Sequence, residues 1–292
     1  MLRDVQELLG EVGFLAGSRV RAKILLELLE GRKSSSELKE SIRAPASTIA
    51  HSLWELESKN LVERASESCV LTSKGRLMGT VLLRFIGSFD SIRVHRDFWN
   101  DHSIKSIPDD LFMNINVFRR AKVIEATLED LHRPHASYHE MLDSTGHLKA
   151  LLAVCFPRHI RAIKELLARE ASVEVILTPE AYREFIRDFG LSEVKNNIER
   201  GSLSLRIING KQELSYMLSD NFFSMGLFNE TVAYDPSRIM IGHEREILDW
   251  GKRLFNHHRG MSSRINVDDI MAGDLTMDEK EGLTAPDEVH EG

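Results

Sequence analysis

Residues 44–57 read APASTIAHSLWELE, and the fold of the first third of the chain turns on this stretch. Proline is well placed in the first turn of a helix, where its missing N–H would be unpaired in any case. Pro45 is therefore expected at the first helical position of a helix running to about Lys59. Ile49, Leu53 and Leu56 recur at i, i+4 and i+7, which makes one buried stripe. Ala46, Ser47, Ala50, His51 and Ser52 are then expected on the opposite face, with Thr48 on its margin. That face is small and polar, as a helix entering a DNA major groove requires.

The flanks supply the rest of a small domain. Ser18 can cap a helix to about Glu30, with Val20, Ile24, Leu25, Leu28 and Leu29 on its apolar face and Gly31 at its end. Ser34 and Glu37 stand three apart in SSSELKESI and fit a capping box for a second helix. Past the third helix, Leu61–Arg64 and Cys69–Thr72 read as short strands around a polar tip at Ala65–Ser68. Three helices and a hairpin in this order describe a winged helix-turn-helix over residues 1–80. The phrase LWELESKNLVERASESCVLTSKG resembles the ArsR-like winged-helix regulators, whose recognition helix is followed by L-x-x-L-x-x-x-G-L-V. Leu53, Leu56, Asn60, Leu61 and Val62 match it, with Asn60 in the glycine position, where Asn tolerates a left-handed backbone.

On this reading Ser47 and Thr48 donate to phosphate, and His51 reaches a base edge or a phosphate. Lys39 and Arg43 are placed for the DNA backbone, and Arg64, Lys74 and Arg76 offset an acidic wing tip that carries Glu67. The competing reading is an amphipathic surface helix in a winged helix that binds protein.

The formal net charge is −7, but residues 264–292 hold nine Asp/Glu against Arg264 and Lys280, so the tail accounts for all of it. Residues 19–76 hold eleven Lys/Arg and eight Glu, a local excess of three positive charges. That local sign is what a phosphate backbone would feel. No apolar run is long enough for a membrane helix, and the first residues lack a signal-peptide layout. Cys69 and Cys155 have no CxxC partner, which suits a reducing cytoplasm and thiols without a metal role.

Residues 81–136 read as a helical linker and dimerisation segment. The helix continuing from Arg76 to Trp99 carries Leu77, Val81, Leu82, Phe85, Phe89 and Ile92, which need a partner; a two-fold mate is favoured for part of this face. Residues 137–260 alternate strand and helix: HLKALLAVCF, PRHIRAIKELLARE, SVEVILT, PEAYREFIRDF and SLSLRII, then hairpin strands in ELSYMLSDNFFSMGLF and TVAYD, and a closing helix EILDWGKRLFNHHR. This is the pattern of an α/β sheet with parallel strands. Residues 261–292 are expected to be an acidic disordered tail.

The phrases DFWNDHSIKSIPDDLF, CFPRHIRAIKELLAREASVEVILT, LSDNFFSMGLF and YDPSRIMIGHEREILDWGKRLF resemble the Fil-type methanogenesis regulators of archaea, over roughly residues 9–258. The resemblance implies a transcription regulator that binds double-stranded DNA, with a non-catalytic middle domain. The second half also resembles a phospholipase D-type layout. Such an enzyme needs His-x-Lys-x4-Asp; His147 and Lys149 are present, but Val154 takes the Asp position. In ELSYMLSD, Tyr216 and Leu218 stand where a second His and Lys would be. Without nucleophile and phosphate clamp a sensor is expected rather than an enzyme.

Arg158 and His159 follow a strand end at a helix start, Thr178 ends the next strand in the same way, and Ser219 and Asp220 follow the YML strand. Together they are candidates for an effector pocket, with capping and turn chemistry as the alternative. His132, His135 and His139 invite a metal reading, but Pro134 breaks any helix through them, and no metal site is assigned. Three functions remain in view: a dimeric DNA-binding regulator with a sensor domain, a phosphodiesterase-like enzyme docked by its winged helix, and a protein-docking adaptor.

Overall fold

The computed structural model describes residues 5–131, 133–134, 141–142 and 145–266. The chain forms two compact units, one up to Val94 with Met113–Arg119, the other His95–Phe112 with Arg120 onward.

The first unit comprises α1 (Val5–Ala16), α2 (Arg19–Leu29), β1 (Lys33–Ser34), α3 (Ser35–Ile42), α4 (Ala46–Ser58), β2 (Val62–Ala65), β3 (Ser68–Leu71) and α5 (Ser73–Val94). Its boundaries follow local chemistry. Ser18 caps α2 by accepting from the Arg21 N–H, and Ser34 and Glu37 form the expected capping box on α3. Arg43 ends α3 in the left-handed conformation at φ 57°. Asn60 turns the chain after α4 at φ 56°, doing the job of the glycine it replaces. Ile24, Leu25, Leu28, Leu38, Ile49, Leu53 and Leu56 are fully buried in one core.

Three details differ from the sequence reading. Pro45 is the N-cap and Ala46 the first helical residue, so the proline fixes an extended entry (φ −57°, ψ 145°) rather than the first turn. The hairpin tip is two residues, Ser66 and Glu67, because Ala65 still pairs with Ser68. A third strand, β1, joins β3 through Lys33↔Cys69 and gives the order β1-β3-β2. At Gly75, α5 passes so close to the end of the wing that an added Cβ would lie 1.8 Å from the Leu61 carbonyl oxygen.

The second unit comprises α6 (Arg96–Asn100), α7 (Asp109–Phe112), β4 (Lys122–Glu125), β5 (His147–Leu152), α8 (Pro157–Ala168), β6 (Ser172–Leu177), α9 (Pro179–Phe189), α10 (Leu191–Glu199), β7 (Leu203–Ile208), β8 (Leu214–Ser219), β9 (Phe223–Leu227), β10 (Arg238–Gly242), α11 (Arg245–Gly260) and β11 (Ser262–Arg264). Its eight strands run in the order β11-β7-β6-β5-β8-β9-β10-β4. β5, β6 and β7 are parallel, as expected from their βα alternation; every other pairing is antiparallel. The sheet is thus mixed, and β5 is where its direction switches.

The helix expected to reach Trp99 stops at Val94. The segment TVAYD makes only an isolated bridge, Phe228↔Tyr234. Ser262–Arg264, expected in the acidic tail, is an edge strand on β7, held by Arg206, whose Nε donates to Ser262 Oγ at 2.8 Å. β4, β10 and α10 were not anticipated.

α11 packs on the sheet through Ile247, Trp250, Leu254, Phe255 and His258. The Trp250 indole N–H donates to the Leu111 carbonyl at 3.1 Å. His258 Nε2 donates to the Ser106 carbonyl at 3.2 Å, which leaves Nδ1 to accept from the buried Tyr216 hydroxyl at 3.1 Å. Burial, with His257 adding to it, pushes the His258 imidazole down to about 4 from its usual 6.5. A histidine held neutral in the fold but basic in the unfolded chain stabilises fully above the unfolded value, and this contribution is lost as pH falls from 6.5 toward 4. Chemical denaturation of the wild type should therefore lose up to about 3 kcal/mol across this window, and His258→Asn should flatten the slope. Equal slopes in the two proteins would remove His258 as the cause. The carboxylates with lowered values, such as Glu213 and Asp235, begin to lose their contribution only as pH falls past their ordinary values of 4.5 and 3.8, at the foot of this window.

Candidate nucleic-acid interface

α4 presents the face that the sequence singled out, with one correction. Ala46, Ser47, Thr48, Ala50 and His51 are all exposed, while Ile49, Leu53 and Leu56 point inward. Ser52 does not belong on this face; it is 3% exposed. It lies three residues after Ile49 and four before Leu56, and at about 100° per residue that places it beside the buried stripe.

In place of Ser52, the exposed face continues through Trp54, which is 63% exposed and stacks on His51 with ring centroids 6.0 Å apart. Sequence reasoning passed over Trp54. The available signal was its spacing: it follows Ser47 by seven residues and His51 by three, on the polar side of the helix.

Among the described residues, no side chain caps the start of α4. Its first N–H groups, with the positive end of the helix dipole, are therefore available to an anion beside Ser47 and Thr48. Lys39 and Arg43 are exposed at the end of the preceding helix. Arg64 is committed elsewhere in part, because its Nε donates to Glu57 Oε1 at 2.8 Å. Lys74 stands apart: its ammonium donates to the Lys59 carbonyl at the carboxyl end of α4. That is about 18 Å along the helix from Ser47, at 1.5 Å per residue, so Lys74 does not share the groove end. Glu55, on the same helix, is tied back to Arg21 by a 2.7 Å ion pair.

The five effector-pocket candidates do not converge. β8 runs antiparallel to β5 with Ser219 opposite Leu148, so Ser219 and Asp220 lie at the start of β5. Asp220 accepts there from the N–H groups of Gly146 and His147, both at 3.0 Å. Ser219 Oγ closes the β8–β9 turn by donating to Asn221 Oδ1 at 2.7 Å. Thr178 lies at the other end of β5, where its hydroxyl caps α9 and donates to the Ala153 carbonyl. Arg158 and His159 are also at that end, the Arg158 guanidinium 4.8 Å from the Phe156 ring centre and His159 buried edge-on to the same ring. The span of β5, roughly 17 Å for six residues, separates the two groups.

Cys155 is buried, and burial, with Glu184 and Asp188 nearby, pushes its thiol up to about 12; Cys69 is buried as well. Neither is an accessible nucleophile. His132, His135 and His139 lie outside the described residues.

Residues 9–90 match the family described as methanogenesis regulatory protein FilR1, N-terminal domain, and residues 131–261 match its middle domain. The methanogenesis regulatory protein FilR1 of Methanothrix harundinacea is 23% identical over 270 residues, which cover 91% of this chain. The chain spans 60% of the length of that relative. Among solved structures, TrmBL2, an archaeal chromatin protein described as showing a novel mode of DNA binding, aligns at 14% identity over 84% of this chain and 94% of its own, with a TM-score of 0.39. A phosphatidylserine synthase of Haemophilus influenzae aligns at 14% identity over 50% of this chain and 39% of its own, with a TM-score of 0.39.

Proposed function

The chain belongs to the family of archaeal FilR1 methanogenesis regulatory proteins, carrying both its N-terminal and its middle domain, and from that premise we propose that it is a sequence-specific DNA-binding transcription regulator rather than an enzyme. The observation that carries the proposal is α4: an uncapped helix start beside an exposed face of Ser47, Thr48, His51 and Trp54, in a segment with local positive excess. Lys39 and Arg43 add phosphate contacts, and Arg64 adds one where Glu57 releases it.

On this reading the protein works as a homodimer. Leu77, Val81, Phe85, Phe89 and Ile92 form a stripe along α5, each 47–71% exposed. Val5, Leu8, Leu9 and Val12 on α1 are 44–63% exposed. Apolar area of this extent on a small domain calls for a partner, and a second copy also supplies the two-fold that operators usually share. The α/β unit receives a small effector or a protein partner. The reading places the protein in the cytoplasm with the chromosome; no helix among the described residues is long and apolar enough to cross a membrane.

The phosphodiesterase alternative loses its chemistry. Lys149 Nζ lies 5.3 Å from the Phe255 ring centre, and Tyr216 and Leu218, opposite Leu151 and Lys149 on β8, are buried. A phospholipase D-like layout finds no support in the comparisons. Selection from a pool of random duplexes tests the proposal. The full chain should enrich a two-fold symmetric site, and its affinity should fall steeply with salt in proportion to the phosphates neutralised. An adaptor would enrich nothing.

A further inference from the structure

We propose that the DNA-binding unit carries an effector site of its own, for a small organic anion with an aromatic or apolar body; its regulatory consequence rests on the reading of α4 as a DNA-binding helix. The site is a cavity of about 470 Å³ bounded by α1, the end of α4 and the start of α5. Cavities of roughly 300–1,000 Å³ hold small molecules. Phe14 and Met78 line it with apolar surface, and Glu7 and Glu11 stand on its α1 wall.

Lys59 and Lys74 complete its lining. The Lys59 ammonium stands 5.9 Å from the centre of the Phe14 ring. Lys74 Nζ donates to the Lys59 carbonyl. Neither lysine forms an ion pair among the described residues. The lysines attract the charged group of an anion, and its body lies against Phe14 and Met78.

The cavity face of α1 is distinct from its outward stripe. Glu7, Gly10, Glu11 and Phe14 follow at i, i+3, i+4 and i+7, whereas Val5, Leu8, Leu9 and Val12 occupy the other side. The cavity is also mechanically tied to α4. The Phe14 carbonyl accepts from Arg21 Nε at 2.9 Å, the Arg21 guanidinium sits 4.4 Å from the Phe14 ring centre, and Arg21 Nη1 pairs with Glu55 on α4 at 2.7 Å. A ligand that shifts Phe14 shifts this tie, and Lys59 itself ends α4. DNA affinity then changes if the ligand prefers one position of α4 over another.

The test uses the full chain and the probe 2-naphthoate, with 2-naphthylmethylamine as the cationic match, titrated calorimetrically without DNA. Naphthoate should bind saturably, at least about tenfold tighter than the amine. Lys59→Glu combined with Lys74→Glu should weaken it by about tenfold or more. Gly10→Leu should do the same by filling the cavity. An added Cβ at Gly10 meets nothing within 4 Å, so this variant keeps its fold, which thermal melting verifies. Equal or tighter binding of the amine, or unchanged affinity in the folded variants, overturns the proposal. In a second arm, naphthoate should change duplex affinity by about threefold or more in the wild type and not in Gly10→Leu. Saturable binding with unaltered duplex affinity overturns the coupling. Loss of DNA binding in every arm counts against the regulator reading alone and leaves the ligand titration standing.

Discussion

Ser47→Glu should abolish duplex binding, lowering affinity by about a hundredfold or more, while the protein should melt within a few degrees of the wild type. Ser47 is exposed in the first turn of α4. A carboxylate there suits the helix dipole, so the fold loses nothing. In a groove the same carboxylate meets phosphates and cancels the contact that the helix start would make. Ser47→Ala should cost much less, about tenfold at most, because it deletes a donor without adding a charge. Ser52→Glu separates the two faces of the helix. Ser52 is buried, so this change should unfold the unit rather than leave a folded protein unable to bind. A gel shift at fixed salt, beside thermal melting, reads all three. Retained affinity in Ser47→Glu would remove α4 from the interface.

Phe89→Glu is the second large effect. Phe89 is 62% exposed, and its ring lies 4.8 Å from that of Phe85 in the middle of the α5 stripe. A charge at the centre of an apolar interface must be desolvated without a partner, which costs several kcal/mol. The variant should halve the mass seen by light scattering. It should also lower affinity for a two-fold site by about a hundredfold, since each copy then binds one half-site alone. The fold should be unharmed, because the side chain already faces water in the monomer. Unchanged mass would show that this face serves something other than a second copy.

Much of the first unit was legible because its determinants are local. The Ile49–Leu53–Leu56 stripe, the Ser34/Glu37 box and Asn60 each act within a few residues of chain, and all three stand where expected. Ser52 was misplaced on the helix wheel, and Trp54 was left out of a face whose spacing includes it. The sheet was harder to read. β4 and β11 are short edge strands, KVIE and SSR, with too few residues to show a period. Only pairing with β10 and β7 defines them. β10, RIMIG, is a short apolar run after Arg238, which alternation cannot detect.

The reading with the greatest consequence was the grouping of Ser219 and Asp220, which follow a strand, with Arg158, His159 and Thr178 at one end of the sheet. Residues 209–213 join β7 to β8, and five residues are too few to carry the chain back along the sheet. β8 must therefore start at the end where β7 stops and run in reverse. That places Ser219 and Asp220 away from Thr178, and the pocket drawn from all five residues dissolves.

The most direct test of the central claim is a hydroxyl-radical footprint of the full chain on the duplex recovered by selection. Two protected half-sites related by a two-fold axis, with centres about one helical turn or a multiple of it apart, and both lost in Ser47→Glu, are the result expected of a dimer that reads DNA through α4. Uniform protection without sequence preference, or a footprint that survives Ser47→Glu, would contradict it.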